Sequence, residues 1–471
     1  MADLHEACTG ADDDVYDGRG PPPRRVLVFP LPFQGHINPM LQLAGALHAR
    51  GLAVTVLHTR FNAPDPARHP EFAFAPVDDG VPADVAASGD VIAVIDAMNA
   101  AMEANESAAV REVLASVLAD EGQPPPACIV IDANLLAVPK AAAAFGLPTL
   151  VLRTTSAACS RCFLAYPMLH EKGYLPPQES KLYMPVKELP PLRVRDLFYS
   201  SISNHEAMRK LLAQATEVVK NSSGLVINTF DAVEAPEIQR IREELDIPMV
   251  LPVGPLHKLS TKSNGSSLID QDYTCIEWLD TQPLRSVLYV SFGSLASMDY
   301  NEFLEVAWGL ANSSCPFLWV VRPGLVRGFD GLDLPHGFED EVEGRGKLIQ
   351  WAPQQEVLAH HAVGGFWTHS GWNSTLESIS EGVPMICRPQ FADQMMNTRY
   401  VENRWRVGFE LEGELERGTI VKAIRKLMKE RGADEMRERA SELKKKVVEC
   451  LKAGGSSQIA IDKLVNYIHS M

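Results

Sequence analysis

The sequence predicts an α/β protein built of two doubly wound domains that face a cleft. Its 471 residues exceed what one ordinary hydrophobic core supports. Short apolar strand segments alternate with helical segments along nearly the whole chain, which is typical of parallel sheets covered by helices on both faces. A polar stretch rich in Gly and Ser, at 257–274, divides the alternation into two similar halves, as an interdomain linker would.

The first half opens with a βαβ pattern. RVLVFP (25–30) and LAVTVLHT (52–59) predict buried strands. Between them, Asn38 and Pro39 suit the N-cap and first residue of a helix that Gly51 ends. Residues rich in Pro, Tyr and Leu then predict loops and short helices over this domain, at 166–200. The other elements expected in this half are a helix at 91–120, strands at 127–132 and 148–154, and strands at 225–230 and 249–255.

The second half repeats the alternation and sets the expected domain boundaries. Its strands are predicted at 286–294, 317–322, 347–351, 363–369 and 384–389, followed by a charged amphipathic helix at 434–451. The expected units are a disordered leader (1–24), an N-terminal domain (25–252), a linker (253–275), a C-terminal domain (276–455) and a closing helix (456–471). The closing helix could pack back on the N-terminal domain.

Composition and charge argue against several classes of protein. The formal net charge of −16 disfavours a nucleic-acid partner. No run of eighteen apolar residues predicts a membrane span, and the acidic, Pro-rich first 25 residues lack the apolar core of a signal peptide. Without a secretion signal, the eight cysteines are expected to be free thiols. We therefore expect a cytoplasmic monomer that neither binds nucleic acid nor inserts stably into a membrane.

The clearest local pattern is THSGWNSTLESISEGVP (368–384). A predicted strand ends at His369, and after a short turn a helix begins near Asn373 and Ser374. Free N–H groups and the positive end of the helix dipole would bind an anion there. Trp372 adds a flat aromatic face. The alternative is an ordinary capped helix with a buried tryptophan.

A second turn of this kind, SFGS (291–294), also follows a buried strand. Gly293 permits a close backbone approach, and Ser294 offers a hydroxyl. Two such turns in one α/β domain favour a nucleotide phosphate. The sequence has neither a P-loop nor a dinucleotide fingerprint after a strand, which counts against ATPases and nicotinamide dehydrogenases.

FPLPFQGHINPM (29–40) places His36 directly after the first strand of the other domain. As a general base it needs an orienting partner, and Asp132, which closes the strand CIVID, is the natural candidate. Adjacent parallel strands bring their carboxyl ends together, so the two side chains could pair across the cleft rim. The alternative is that Asp132 caps a helix starting near Asn134.

WAPQQEVLAHHAVGGFWTHSGWNSTLESISEGVPMICRPQFADQ (351–394) closely resembles the 44-residue sugar-nucleotide signature of plant family-1 UDP-glycosyltransferases. The resemblance covers nearly the whole chain after residue 25 and includes FQGHINPM, VINTF and YVSFGS. It implies the two-domain GT-B fold, with UDP-glucose as co-substrate, no cofactor and no metal. MICRP and HEKGYLP look most like the branch with benzoxazinoid and steviol-type diterpenoid glucosyltransferases.

The resemblance also implies a role for each residue of the donor site. Trp351 would stack on the uracil, whose edge the Ala352 backbone would hold, and Gln354 and Glu377 would bind the ribose hydroxyls. The implied diphosphate contacts are Ser294, His369, Asn373 and Ser374. The implied sugar contacts are Trp372, Asp393 and Gln394, with Thr154 at the sugar or phosphate. Two positions depart from the common pattern, with Ser370 where many relatives have Cys and Arg388 where many have Trp.

Together these features predict an inverting glucosyltransferase. His36, oriented by Asp132, would deprotonate an acceptor hydroxyl, which then attacks the anomeric carbon opposite UDP and yields a β-glucoside. A lipophilic phenolic, benzoxazinoid or terpenoid acceptor is expected to lie among the first domain's loops, including 183–208. The candidate pocket residues are Phe33, Met98, Phe391 and Ala392. A non-catalytic UDP-sugar-binding protein and a UDP-sugar hydrolase are the alternatives.

Overall fold

The computed structural model describes residues 24–199, 204–260, 267–328 and 334–471. The predicted leader, up to residue 23, and residues 261–266 of the predicted linker lie outside the described residues. The described part of the linker begins with a short helix, Leu256–Leu259, whose two leucines pack into the core of the N-terminal domain.

The N-terminal domain is a parallel sheet with helices on both faces. Its strands are Arg25–Phe29 (β1), Ala53–Thr59 (β2), Ala73–Val77 (β3), Pro126–Asp132 (β4), Thr149–Arg153 (β5), Gly224–Ile227 (β6) and Val250–Pro252 (β7). Its helices are Gln34–His48 (α1), Ala83–Ala86 (α2), Val91–Leu118 (α3), Val138–Ala144 (α4), Ala157–Leu164 (α5), Tyr166–Glu171 (α6), His205–Lys220 (α7), Asp231–Glu244 (α8) and Leu256–Leu259 (α9), with 3-10 turns at Pro66–Arg68, Glu179–Lys181 and Val194–Asp196. In the described ranges the strand order is β3-β2-β1-β4-β5-β6-β7.

The C-terminal domain repeats this architecture. Its strands are Val287–Ser291 (β8), Phe317–Val320 (β9), Gly346–Ile349 (β10), Val363–Thr368 (β11), Met385–Cys387 (β12) and Gly408–Glu410 (β13), and the order over the described residues is β10-β9-β8-β11-β12-β13, all parallel. Its helices are Thr274–Asp280 (α10), Tyr300–Ser313 (α11), Phe338–Val342 (α12), Gln354–Ala359 (α13), Trp372–Glu381 (α14), Gln394–Arg399 (α15), Arg417–Met428 (α16) and Arg431–Leu451 (α17), with a π-helical turn at Tyr400–Trp405. The prediction of two doubly wound domains is confirmed.

Each sheet has one point where the strand order reverses. In the N-terminal sheet it lies between β1 and β4, and in the C-terminal sheet it lies between β8 and β11. The crevice outside the carboxyl ends of the two strands at such a point is where open α/β sheets bind ligands. The segments after β1, β8 and β11, and the end of β4, carry the predicted base, its predicted partner and the predicted diphosphate contacts.

The start of α1 differs from the prediction. The helix begins at Gln34, with extended Phe33 as its N-cap, so Asn38 is not a cap and Pro39 lies inside the helix. Proline has no N–H to donate to the carbonyl four residues earlier, which is that of Gly35. That carbonyl is thereby available to a partner outside the helix. His36 therefore lies in the first turn of α1 and not before the helix.

Two edge strands, β3 and β13, were not predicted. β3 contains Pro76 and is mostly half-buried, and β13 has three residues. Both extend a sheet whose neighbouring strand is already formed, through the parallel pairings β2–β3 and β12–β13. Short edge strands of this kind carry little periodic signal of their own.

The last helix of the described chain, Ser456–Ser470 (α18), follows the C-terminal domain in sequence but lies on the N-terminal one. Its buried residues Ile461 and Leu464 share a core with Val26 of β1. Ser457 Oγ donates to the Gly254 carbonyl at 2.6 Å, and Tyr467 donates to the Ser223 carbonyl at 3.0 Å. The N-terminal core therefore includes residues from both ends of the described chain.

Candidate active site

The geometry pairs the predicted base with its predicted partner. His36 Nδ1 lies 2.7 Å from Asp132 Oδ2. The His36 side chain is 27% exposed and that of Asp132 only 4%, so the carboxylate lies beneath an accessible imidazole. Asp132 Oδ1 accepts from the backbone N–H and side-chain amide of Asn134, at 3.0 and 2.9 Å. The alternative drawn from the sequence does not hold, because no helix starts near Asn134: α4 begins at Val138 with Ala137 as its N-cap, and Asp132 fixes only the turn at Asn134.

Asp132 is held in its charged form. Burial alone would raise the pKa of this carboxyl, but the attraction and hydrogen bond of His36, the Asn134 N–H and the charge of Arg153 together lower the pKa. In the neutral tautomer whose Nδ1–H donates to this carboxylate, Nε2 has the lone pair that can accept a proton. The pair thus has the arrangement that a general base requires.

The other predicted residues of this domain lie close by, with two differences. Thr154, expected at the sugar or phosphate, has its hydroxyl 3.1 Å from His36 Nδ1. Phe33 is 7% exposed and its ring meets that of His36 edge-on, with centroids 6.4 Å apart. Met98, expected in the acceptor pocket, has no exposed surface and packs in the sheet–helix core, so its place in that pocket stays a prediction.

The two predicted ribose ligands lie together at the start of α13 and on α14. Gln354 Nε2 donates to Glu377 Oε2 at 2.7 Å and to Ser374 Oγ at 2.9 Å, while Tyr289 donates to Gln354 Oε1 at 3.0 Å. Burial raises the pKa of Glu377, an effect that its amide hydrogen bonds partly offset. This cluster presents hydroxyl, amide and carboxyl groups, which suit the two hydroxyls of a ribose.

The predicted uracil platform lies next to the described end of the linker. The Trp351 indole N–H donates to Ser267 Oγ at 2.9 Å, and its carbonyl accepts from the Asp272 N–H at 2.8 Å. Ser267 is held from the other side by Arg68 of the N-terminal domain, which donates to its carbonyl at 2.8 Å. Ala352, beside Trp351, is buried.

His369 is fitted between the two turns that were predicted to bind phosphate. A Cβ added at Gly293 or at Gly371 would come within 2.5 Å of its ring, and Gly293 also has φ +73°. Burial lowers the pKa of His369 to about 4, so its imidazole is neutral near pH 7 and has one N–H to donate. Both glycines are required for this packing.

Arg322, which follows β9, was missed by the sequence reasoning. Its Nε donates to the Gly293 carbonyl at 2.8 Å and its other nitrogens to the carbonyls of Ala296 and Pro323. These bonds fix the turn that carries Ser294. The signal available in the sequence was its position, a charged residue directly after a buried strand.

Helix α14 begins at the cleft without a side-chain cap, because its N-cap residue is Gly371. The N–H groups of its first turn therefore have no capping partner among the described side chains, and an anion can bind there. Asn373, in this turn, donates from Nδ2 to the Gly35 carbonyl of α1 at 2.9 Å. This carbonyl is the one that Pro39 leaves without a helical partner, so the two domains meet directly beside His36.

Trp372 does not present its flat face to the cleft, contrary to the prediction. Its side chain is buried, and its indole N–H donates to the Asn228 carbonyl of the N-terminal domain at 2.7 Å. Trp405 lies beside it and donates to the Val233 carbonyl at 3.2 Å. The two tryptophans join the domains, so a sugar contact at position 372 would have to come from the backbone.

The predicted sugar residues Asp393 and Gln394 lie where a strained loop joins the start of α15. Ala392 has φ +59°, a left-handed conformation that costs energy for a residue with a Cβ. Gln394 Oε1 accepts from the N–H groups of Gln390 and Phe391, at 2.8 and 3.2 Å, and Asp393 accepts from Asn397 at 3.0 Å. Gln394 therefore supports the loop with its side-chain oxygen.

Asp393 lies within electrostatic reach of the base. Burial raises the pKa of its carboxyl, and the Asn397 hydrogen bond and the charge of His36 partly counter that rise. The sugar loop of one domain thus faces the base of the other. Phe391 and Ala392, both half-buried, stand on the same loop.

In the ranges given above, no three His, Cys, Asp or Glu side chains cluster as metal ligands would. No described helix is both long enough and apolar enough to cross a membrane.

Two doubly wound domains have at their facing sheet edges an imidazole–carboxylate pair on one side and an uncapped helix N-terminus with an amide–carboxyl cluster on the other. This is the architecture of group-transfer enzymes with a GT-B fold. Residues 198–449 match the family model described as UDP-glucoronosyl and UDP-glucosyl transferase. The chain belongs to this family and is a UDP-glycosyltransferase.

Relatives and solved structures agree with this assignment. The chain is 48% identical over 424 residues to the DIMBOA UDP-glucosyltransferase BX9 of Zea mays, covering 89% of this chain and 90% of the relative. It is 42% identical over 446 residues to UDP-glycosyltransferase 76B1 of Arabidopsis thaliana, covering 94% and 98%. Among solved structures, Phytolacca americana UGT2 complexed with UDP-2fluoro-glucose and pterostilbene aligns with a TM-score of 0.80 at 28% identity, covering 94% and 99%. The predicted resemblance to the benzoxazinoid branch is confirmed.

Proposed function

We propose that this enzyme transfers glucose from UDP-glucose to a hydroxyl of a lipophilic small molecule, with inversion to a β-glucoside. The observation that carries the proposal is the His36–Asp132 pair at 2.7 Å, placed where the first turn of α14 meets α1. A protein that only binds a UDP-sugar has no need of an ionised carboxylate beneath an accessible imidazole. The names of the maize relative and the UGT2 complex support a glucosyl donor and a small lipophilic acceptor.

The chemistry follows from the placement of each group. His36 Nε2 takes the proton of the acceptor hydroxyl as its oxygen attacks the anomeric carbon, and Asp132 stabilises the imidazolium that forms. The carbon–oxygen bond to UDP breaks on the opposite face of the sugar. The charge that develops on the diphosphate is met by Ser294, by the N–H groups at the start of α14 and by the neutral His369.

The remaining donor contacts are part of the same proposal. Trp351 and Ala352 hold the uracil, and Gln354 with Glu377 holds the ribose. Asp393 and Gln394 bind the glucose hydroxyls. Thr154 supports His36 in place of its expected contact with the donor, since its hydroxyl lies against the imidazole.

We also place the enzyme in the cytoplasm as a monomer. The cysteines of the described chain are all free and buried, as is usual in a reducing compartment. The base and the donor residues come from a single chain, so a second copy is not needed to complete the site. Light scattering of the purified protein at micromolar concentration should give a mass near 51.7 kDa.

The test is direct. The purified protein is incubated with UDP-glucose and a panel of phenols, hydroxamic acids and terpenoid alcohols, and products are screened for the mass gain of one hexose. The anomeric configuration of any product is then read by proton NMR. We expect β-glucosides that disappear with H36A; an α-glucoside, or free glucose released without acceptor, would contradict the proposal.

A further inference from the structure

Arg153 is a buried cation to which the mechanism above gives no contact with substrate. It is the last residue of β5 and only 7% of it is exposed. Its guanidinium carbon lies 5.2 Å from the centroid of the Phe163 ring. Within the described part of the chain, the guanidinium has no hydrogen bond or ion pair with another side chain or carbonyl.

The nearby carboxylate does not supply the missing partner. Asp132 uses Oδ2 for His36 and Oδ1 for the two donors of Asn134. Arg153 feels the charge of Asp132 without bonding to it. Burying a guanidinium, with five N–H donors and no acceptor, is costly, and arginine does not relieve that cost by losing its proton. A cation kept in this position is explained if its acceptor arrives with a ligand.

The position of Arg153 is beside the reaction centre. The next residue, Thr154, has its hydroxyl 3.1 Å from His36 Nδ1. On the other side, Phe163 meets Phe198 edge-on with ring centroids 4.9 Å apart. Phe198 belongs to the segment 183–208, which was expected to form the acceptor pocket. The guanidinium thus lies against one of two contacting aromatic rings and within electrostatic reach of Asp132, the partner of the base.

We propose that Arg153 binds an oxyanion of the acceptor, either a carboxylate or an ionised acidic hydroxyl, that is distinct from the hydroxyl receiving glucose. The inference rests on the proposed function and narrows its acceptors to acidic aromatic molecules. The planar guanidinium matches a carboxylate with two parallel N–H···O bonds, which a neutral ester cannot replace. Phe163 and Phe198 offer the ring contacts for the aromatic part.

A purely structural or electrostatic role for Arg153 makes a different prediction. If Arg153 only helps to keep Asp132 ionised, removing it would weaken the base for every acceptor alike. If Arg153 only packs on Phe163, removing it would lower the melting temperature without changing which acceptors are preferred. Acid and ester forms of the same phenol separate these roles.

The experiment compares 2-, 3- and 4-hydroxybenzoate with their methyl esters as acceptors, with UDP-glucose saturating. For at least one isomer we expect wild type to show kcat/KM at least tenfold higher on the acid than on the ester. R153M should lower the value for that acid at least thirtyfold and change the ester less than threefold, with R153K in between. R161M, which removes one positive charge from neighbouring α5, is the matched control and should leave the acid-to-ester ratio unchanged.

Stability and binding measurements complete the test. R153M and R153Q both lose the contact with Phe163 and the attraction to Asp132, so each melting temperature is measured to choose an assay temperature at which the variant stays folded. A fall in melting temperature with an unchanged acid-to-ester ratio would overturn the proposal in favour of a structural role. An equal fall in kcat/KM on acid and ester in R153M, or a wild-type preference for the ester of every isomer, would also overturn the proposal. Tryptophan-fluorescence titrations with UDP present separate the two hypotheses. Acid-selective binding that R153M abolishes, without glucoside formation, would refute only the proposed function, whereas glucosides without acid preference would refute only the role of Arg153.

Discussion

Replacing Asp132 by Asn removes the charge beneath the base while keeping its size. Two unit charges about 4 Å apart attract by about 4 kcal/mol at an effective dielectric constant near 20. The His36 side chain is 27% exposed, which screens part of that attraction, so about 2–3 kcal/mol remains for the imidazolium of the transition state. We therefore expect D132N to lower kcat by roughly 30- to 150-fold.

H36A should cost more, roughly 100- to 10,000-fold in kcat, because it removes the group that takes the proton. The double variant H36A/D132N should be within about threefold of H36A alone, since the carboxylate acts only through the imidazole. Steady-state assays that measure UDP release give all three values. Multiplicative losses in the double variant would refute the pairing, whatever the separate effects of the two residues.

One control is needed for folding. H36A leaves Asp132 Oδ2 buried without its 2.7 Å partner, although Oδ1 keeps its two bonds to Asn134. An unsatisfied buried acceptor costs about 1–3 kcal/mol of stability. Assays should therefore run well below the melting temperature of each variant, and H36Q offers a replacement that retains a hydrogen-bonding amide.

Three further predictions concern the donor side. E377Q should raise KM for UDP-glucose about tenfold or more and change kcat little. The reason is that a charged hydrogen bond to the ribose is made equally in the ground state and the transition state. Isothermal titration with UDP measures the loss of affinity. G293A should weaken UDP binding strongly and leave acceptor binding intact. The new Cβ would lie 2.5 Å from the His369 ring, and residue 293 has a left-handed backbone conformation that favours glycine. Normal UDP affinity in G293A would contradict this packing argument. The folded-state pKa of His369, about 4, lies below its usual 6.5, so the folded protein binds fewer protons between these values and stability falls as pH falls through that window. Between pH 7.5 and pH 5 this group should cost wild type about 2 kcal/mol in urea denaturation, and H369Q should lose that part of the pH dependence.

Much of the site could be predicted because parallel sheets constrain it. Once RVLVFP and CIVID are recognised as buried strands, their carboxyl ends must share one edge, so His36 and Asp132 have few other places to go. The structure extends this reasoning to His369, which lies beside the SFGS turn because β8 and β11 are neighbours. The resemblance supplied the role of each donor residue, which the strand pattern alone could not.

What could not be predicted depends on contacts between distant segments. Trp372 has the flat aromatic side chain expected of a residue that stacks on a ligand. Its hydrogen bond to the Asn228 carbonyl, 144 residues away in sequence, shows that it joins the domains. The Asn-Pro pair was a sound local signal for a helix start, but Pro39 is tolerated inside α1 because the Gly35 carbonyl finds Asn373 in the other domain. Arg322 likewise acts on a turn 29 residues earlier.

Helix α18 has a consequence for how the protein is made. On the ribosome, residues 25–252 emerge first, yet the core that holds Val26 also needs Ile461 and Leu464. The N-terminal domain therefore cannot complete this core, and leaves the apolar residues that contact α18 uncovered, until the second domain has been synthesised. Deleting 456–471 should destabilise the N-terminal, acceptor-binding domain and leave the C-terminal, donor-binding domain folded. The truncated protein should therefore still bind UDP but lose glucosylation activity. During synthesis, the uncovered residues form a surface on which a chaperone would be expected to act.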